Sequence, residues 1–152
     1  MSDARTDTQF SIFLVNKPGV LAQVTGALGE AKLNILAMTL VDSQEHGVLR
    51  VVTEDPGAAR QVLARLNLPM TETEVLCLDL SNRPGALGDV ATVLGQHHVN
   101  INYAYCTSGA PGGRTTGIFK VADVKKAMHV LKDSGGGGAK HKEGNVRRVG
   151  RR

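Results

Sequence analysis

Aromatic residues are scarce in this sequence of 152 residues. They make up 3% of it, and tryptophan is absent. Apolar residues reach 41% and charged residues 21%, which are ordinary proportions for a soluble globular protein. The core must therefore be filled by leucine, valine, isoleucine and alanine rather than by aromatic rings.

Cysteines and long apolar runs are also rare. Cys77 and Cys106 are 29 residues apart and form no Cys-x-x-Cys motif, which argues against a disulfide framework or a zinc site and predicts two reduced thiols. No run approaches the roughly 18 apolar residues that a membrane span needs, and the polar residues 2–9 lack the apolar stretch of a signal peptide. These absences predict a cytoplasmic protein without a membrane partner.

Positive charge is concentrated at the C-terminus. Residues 135–152 hold six basic side chains against one acid, whereas residues 1–134 hold twelve basic and thirteen acidic side chains. Because residues 135–138 are all glycine, we predict that 135–152 form a flexible basic tail. The tail keeps nucleic-acid binding open as an alternative function, although the nearly neutral remainder of the chain argues against nucleic acid as the partner.

Motifs of catalysis and of metal binding are missing. The five histidines are scattered apart from the adjacent His97 and His98, and no nucleophile is paired with a base in a recognisable motif. Residues 109–113 are rich in glycine but lack the Lys-Ser/Thr pair of a phosphate-binding loop. We therefore expect neither enzymatic activity nor a cofactor or metal ion.

The sequence does contain an internal repeat. Asn16-Lys17-Pro18-Gly19-Val20-Leu21 returns 66 residues later as Asn82-Arg83-Pro84-Gly85-Ala86-Leu87, and nine of the twenty positions from 16 to 35 are identical in the two copies. The offset grows to 70 further on because the second copy has extra glycine-rich residues before Gly117. We predict two copies of one fold unit, at residues 8–70 and 71–134.

Apolar periodicity predicts the same order of elements in each copy. In the first copy, a β-rich run at 10–15 precedes a helical stripe at 21–31. Two strands around a polar hairpin at 42–47 follow, then a helix that is capped at Asp55 and a strand at 73–80. The β-α-β-β-α-β order predicts an α+β fold of two ferredoxin-like units in tandem, with antiparallel sheets and the helices on one face.

The second copy has no obvious final strand, because the glycines at 135–138 arrive where that strand should begin. The empty position could be filled from a neighbouring chain, or it could remain an open sheet edge. A unit of about 65 residues buries only some 60% of its surface. We therefore expect the two halves to pack side by side.

The two Asn-x-Pro-Gly turns, together with Leu33-Asn34-Ile35 and Val99-Asn100-Ile101, resemble the ACT domain family. The resemblance covers about residues 10–133 and is to stand-alone tandem ACT proteins that lack a catalytic domain. It implies that an amino acid is bound where two units meet and that the protein regulates a metabolic enzyme. We expect a homo-oligomer, such as a dimer.

The resemblance also implies which residues bind the ligand. It places the ligand on the two strand-to-helix turns and on the asparagine that opens the second strand of each unit, which implicates Asn16, Gly19, Val20, Leu21, Asn34, Asn82, Gly85, Ala86, Leu87 and Asn100. Serine-binding members of the family have a histidine two residues before the first asparagine. Here that position is Leu14 or Leu80, which favours a more apolar ligand side chain.

The chemistry of the turns supports an anion site, but simpler roles stay open. Proline suits the first helical turn, glycine allows close approach, and the next N–H groups lie at the positive end of the helix dipole. Alternatively, Asn16 and Asn82 only cap helices, Asn34 and Asn100 are turn residues with positive φ, and the protein is a dimerisation module without a ligand. Tyr103 and its neighbour Tyr105 point to one face of a strand, which could be the sheet surface or a ligand cleft.

Overall fold

The computed structural model describes residues 3–15, 17–42, 46–107 and 113–135. The predicted tail lies outside these residues from 136 onward. The elements follow the predicted order in both copies, and their bounds are β1 (Ala4–Val15), α1 (Val20–Glu30), β2 (Ile35–Asp42), β3 (His46–Thr53), α2 (Pro56–Ala64), β4 (Met70–Ser81), α3 (Ala86–Gln96), β5 (Ile101–Cys106), β6 (Arg114–Val121) and α4 (Val124–Gly135). The Asp55 side chain caps α2 by accepting a hydrogen bond from the Ala58 N–H at 3.0 Å, as the sequence predicts.

The described strands form one antiparallel sheet in the order β2-β3-β1-β4-β6-β5. Even-numbered side chains of β1, such as Phe10, pack with α1 and α2, and even-numbered side chains of β4, such as Leu76, pack with α3 and α4. In the register of the β1–β4 pair, Thr6 is opposite Leu76, so these two sets share one face. The two ferredoxin-like units are therefore confirmed, with all four helices on the same face of the sheet.

The two long strands, β1 and β4, each belong to both units. β1 pairs with β3 through residues 9–15 and with β4 through residues 4–12. Beside β4, residues 4–8 take the place of the final strand that the second copy lacks, and Ala4 packs on the second core. The sequence suggested a neighbouring chain or an open edge, and the structure shows instead that the chain's own N-terminal segment fills this position.

The register of β1 and β4 defines the symmetry between the units. Thr8 is paired with Glu74, and these two residues are related by the repeat offset of 66. The pairs on either side are related in the same way. Gln9 is opposite Thr73, and their repeat counterparts, Val75 and Asp7, are opposite each other. A pseudo-twofold axis therefore passes between Thr8 and Glu74, and the proposed boundary between the copies does not separate two independent sheets.

The face of the sheet without helices encloses a third apolar cluster, which is smaller than the cores of the two units. Although β2 and β5 are opposite edges of the sheet, they approach each other, which shows that the sheet curls. Its inner face buries a cluster that consists of Ala37, Val52, Val75, Cys77 and Ile118. Both cysteines are free. Burial, helped by the nearby Asp7 carboxylate, raises the pKa of Cys77 from 9.0 to about 11, so its thiol stays protonated at neutral pH.

A buried polar network connects the two units across this inner face. The Gln9 side chain, which is 0% exposed, donates a hydrogen bond to the Tyr103 hydroxyl at 2.8 Å and accepts one from the Tyr105 hydroxyl at 2.9 Å. The Arg50 guanidinium lies 4.2 Å from the centre of the Tyr103 ring. Burial also raises the pKa of Tyr105, because the phenolate would lose its water. Both tyrosines therefore point into the protein interior rather than to an exposed sheet surface.

The network occurs on one side of the pseudo-twofold axis. By the offset of 66, the counterpart of Gln9 is Val75, and the counterparts of Tyr103 and Tyr105 are Ala37 and Thr39. Two first copies, or two second copies, could not form the same hydrogen bonds with each other. The network therefore favours the pairing of a first copy with a second copy, since an unpaired buried amide or hydroxyl is costly.

The pairing of residues 4–8 with β4 generates the first prediction. Deletion of residues 1–7 should lower the free energy of unfolding by at least about 2 kcal/mol, because several backbone hydrogen bonds worth about 0.5–1.5 kcal/mol each are lost. Thermal and urea unfolding measure the change. Deletion of residues 136–152 is the control and should have almost no effect, since glycines and like charges cannot build a core. Equal effects of the two deletions would contradict the shared strand.

The second prediction concerns the buried network. The substitution Gln9→Leu should cost about 1–3 kcal/mol, because it leaves two buried hydroxyls without their partner. The triple variant Gln9→Leu, Tyr103→Phe, Tyr105→Phe should lose less free energy of unfolding than the sum of the losses in the three single variants. The reason is that it removes all the unpaired groups together. Urea unfolding of all the variants tests this coupling, and strictly additive costs would show that the three side chains act independently.

Candidate functional site

The first candidate turn joins β1 to α1. The Lys17 N–H donates to the Val15 carbonyl at 2.9 Å, and Gly19 then adopts φ 90° as the N-cap of α1. The first intrahelical bond runs from the Gln23 N–H to the Gly19 carbonyl at 3.0 Å. Pro18 therefore precedes the helix, and the expectation that it occupies the first helical turn is wrong. A glycine is required at position 19 because other residues rarely adopt this φ.

The second turn, between β4 and α3, has the same backbone. The Arg83 N–H donates to the Ser81 carbonyl at 2.9 Å, Gly85 has φ 86°, and the Asp89 N–H donates to the Gly85 carbonyl at 2.9 Å. The N-cap is Gly85, so Asn82 does not cap α3. Asn16 lies outside the described residues. In both turns the first N–H groups of the helix have no carbonyl partner within it.

A cavity of about 280 Å³ opens beside the first turn. It lies where the apolar core of the first unit reaches the surface. The start of α1, the end of β2 and the start of β3 surround it. Its lining consists of Leu14, Val15, Lys17, Val20, Leu21, Leu40, Asp42 and Gly47. An ammonium group and a carboxylate are thus found around one largely apolar cavity.

The structure brings together only part of the set implied by the family resemblance. Val20 and Leu21 line the cavity, and Gly19 immediately precedes them. Asn34 is at the opposite end of β2 from Asp42, roughly 25 Å away at about 3.3 Å per residue. Its side chain donates to the Glu54 carboxylate at 3.1 Å. Asn34 and the first turn of one chain therefore cannot hold the same small ligand.

Asn100 occupies the equivalent place in the second unit. Its carbonyl accepts a hydrogen bond from the Ala122 N–H at 3.1 Å, as that of Asn34 does from Glu54 at 3.1 Å. Positive φ occurs at Lys32 and His98 in these loops, not at the asparagines. The two asparagines therefore lie between helix and strand as expected, but neither adopts the positive φ that an asparagine would tolerate there.

The second turn is filled by the chain's own groups. Arg83 forms an ion pair with Asp89 at 2.7 Å and also donates to the Pro84 carbonyl at 3.1 Å. Ala86 is buried, whereas Leu87 is 47% exposed. The Phe119 ring, which packs against Gly117, is opposite Leu76 on β4 and belongs to the apolar core of the second unit rather than to the turn.

The first unit has different residues at these positions. Phe10 is opposite Val51 and Leu76 is opposite Phe119, so Val51 is the counterpart of Phe119, Leu49 that of Gly117 and Thr115 that of Gly47. The expected match of Gly47 with Gly117 is therefore wrong, because the strand registers relate β3 to β6 by a different offset. Gln23 stands at the position of Asp89 in the first unit. Lys17, the counterpart of Arg83, therefore has no acidic partner at that position. The two turns thus share a backbone but differ in what surrounds it.

Leu40, Asp42 and Gly47 line the cavity, yet the sequence did not single them out as site residues. They come from the β2–β3 hairpin, which is distant in sequence from the turn. Lys17 stands inside the repeated turn, and its charge next to the start of the helix could have been noticed.

Other kinds of site find no support in the part of the chain that the structure describes. Within residues 3–15, 17–42, 46–107 and 113–135, no group of three or more histidine, cysteine or acidic side chains could hold a metal ion. No helix among these residues is both long and apolar enough to span a membrane.

Comparison with known proteins connects this fold to a family. Residues 5–136 match the sequence profile of the ACT domain pair. Protein BT0572 from Bacteroides thetaiotaomicron is 30% identical in sequence, over 87% of this chain and 90% of its own, and its structure has a TM-score of 0.79. A search of curated protein sequences finds no match.

Two more distant structures share the fold. The regulatory subunit of aspartate kinase from Thermus thermophilus, in its ligand-free form, has 14% identity and a TM-score of 0.62 over 86% of this chain and 95% of its own. That from Thermus flavus has 16% identity and a TM-score of 0.56 over 88% and 97%. Since the matching profile extends over most of the sequence, the chain belongs to the ACT domain family and is an ACT domain pair.

Proposed function

We propose that this ACT domain pair is a non-catalytic regulatory protein of the cytoplasm that binds a free amino acid in the cavity beside the first turn. Binding would favour one arrangement of the protein, which a metabolic enzyme then recognises. The observation that carries the proposal is the placement of Lys17 and the start of α1 around the same cavity as Asp42.

The α1 end of the cavity suits a carboxylate. The N–H groups of Val20, Leu21 and Ala22 precede the first intrahelical bond and have no acceptor within the helix, and the helix dipole makes this end positive. Lys17 adds a full positive charge nearby. The carboxylate of an amino acid can therefore accept hydrogen bonds here while it is attracted by two sources of positive potential.

The hairpin end of the cavity suits an ammonium group. Asp42 closes β2 and lines the cavity together with Gly47, which is its partner in the β2–β3 register. A free amino acid carries both a carboxylate and an ammonium group at neutral pH. The two ends of the cavity together match this pair of charges better than they match a simple anion or cation.

A homodimer would account for the position of Asn34. β2 is an edge strand of the described sheet, and its exposed side chains include the apolar Met38, Leu40 and Val41. Such an edge favours pairing with another strand. If two copies pair antiparallel about the middle of β2, Asn34 of one copy comes beside Asp42 of the other, where the family would place it.

The aspartate kinase regulatory subunits support the regulatory part of the proposal by their fold. Both are regulatory subunits by name, but at 14% and 16% identity they do not define the ligand or target of this chain. The alternatives are a dimerisation module without a ligand, which would use the same exposed edge of β2, and a nucleic-acid-binding tail. They remain outcomes of the test below.

The third prediction is ligand-dependent stabilisation. At a hundredfold excess over its dissociation constant, a bound amino acid should add about 2.7 kcal/mol to the free energy of unfolding. A thermal-shift panel of the twenty amino acids measures this on the full chain. A flat response would favour the module without a ligand.

Two matched variants locate the effect. Lys17→Gln should weaken binding by up to about 1 kcal/mol, or roughly fivefold in the dissociation constant, as for an exposed ion pair. Arg83→Gln changes the equivalent residue of the second unit and should leave the affinity unchanged. The reverse order of effects would place the site in the second unit.

A further inference from the structure

We infer that the cavity selects an L-amino acid with an aliphatic side chain, and that the second unit does not share this selectivity. This inference rests on the proposed function, which it extends from amino acids in general to one class of them. It follows from the wall between the two charged ends and from a comparison of that wall in the two copies.

The wall that would surround the ligand side chain is apolar. Among the residues that the structure describes, five of the eight that line the cavity are aliphatic, and they are Leu14, Val15, Val20, Leu21 and Leu40. The other three described lining residues are Lys17, Asp42 and Gly47. A polar ligand side chain would give up hydrogen bonds to water without replacement, whereas an aliphatic one gains from burial.

The charged lining residues do not favour a charged ligand side chain either. In the proposed function, Lys17 attracts the carboxylate of the bound amino acid and Asp42 attracts its ammonium group. A lysine or aspartate ligand would bring a third charge, and the aliphatic wall offers no counter-charge for it. The volume of about 280 Å³ is also small, which suits a metabolite of this size rather than a larger molecule.

The two copies differ in this wall. At the positions of Val15, Val20 and Leu40, the second copy has Ser81, Ala86 and Cys106. Each change removes apolar volume or introduces a polar group. The Arg83–Asp89 ion pair lies beside the second turn in addition.

The second copy therefore serves as an internal comparison within one chain. It keeps the backbone of the turn, with φ 86° at Gly85 against 90° at Gly19, but of the five aliphatic side chains it retains only those of Leu14 and Leu21, as Leu80 and Leu87. Selectivity for an aliphatic side chain should belong to the first copy, with one such ligand per chain.

The fourth prediction is tested by calorimetry on the full chain. L-leucine, L-isoleucine and L-valine should bind at one molecule per chain and at least about tenfold more tightly than L-serine, L-threonine or L-lysine. 4-Methylpentanoic acid, which is leucine without its ammonium group, should bind more weakly than leucine because it cannot pair with Asp42.

Matched variants separate the wall from the charged ends. Leu40→Ser should weaken the binding of leucine by about tenfold and leave that of serine nearly unchanged. The side chain of Leu40 is 46% exposed, so the fold should tolerate the change, and circular dichroism checks this. Val15→Thr, at a residue that is 53% exposed, is the second variant and should act in the same direction. Cys106→Ser at the equivalent position of the second unit should leave both affinities unchanged.

The outcomes distinguish this inference from the proposed function. If serine, threonine or lysine binds more tightly than the aliphatic amino acids, the selectivity is wrong although an amino-acid site exists. If leucine binds equally well to the Leu40→Ser variant, the wall is not where its side chain lies. If no amino acid binds, both proposals fail.

Discussion

The antiparallel pairing of β1 with β4 is the constraint on which the rest of the structure depends. Since residues 4–12 of β1 bond to residues 70–78 of β4, each unit completes its sheet with a strand segment from the other. The two halves are therefore interlocked rather than merely adjacent. The pairing also sends β1 and β4 in opposite directions, so the turn after each strand lies at a different end of the sheet.

This direction has a consequence for ligand binding. Turns at opposite ends of one sheet cannot hold one small ligand between them, although each could hold its own. Asn34 is similarly distant from the turn of its own unit, and its side chain bonds to Glu54. A site that uses both the first turn and Asn34 thus needs another copy of the chain, which is why the proposed function includes a homodimer.

Much of the fold could be predicted from the sequence because its signals are local. The repeat, the apolar period of α1 and the cap at Asp55 each depend on neighbouring residues, and the structure has them where expected. The start of β1 was not predicted, because residues 4–8 are mostly polar and become a strand only by pairing with β4. The pairing itself joins residues about 66 apart, and no local pattern reports it.

The candidate site was harder to predict for the same reason. The two turns were identified from the repeated Asn-x-Pro-Gly, but the role of Gly19 in supporting a positive φ is visible only in the backbone. The cavity combines residues from β1, α1, β2 and β3, so Leu40 and Asp42 could not be assigned to it from spacing alone. The two copies also differ in packing, such as the Phe119 ring against Gly117 where the first copy has Val51 and Leu49, and the match of Gly47 with Gly117 in the sequence conceals this difference.

NMR of the full chain with labelled leucine methyl groups, titrated with unlabelled L-leucine, tests the location of the ligand most directly. The account predicts that the methyl signals of Leu14, Leu21 and Leu40 shift and saturate together, while those of Leu80 and Leu87 at the second turn do not move. Saturable shifts at Leu80 and Leu87, with Leu14, Leu21 and Leu40 unaffected, would contradict it.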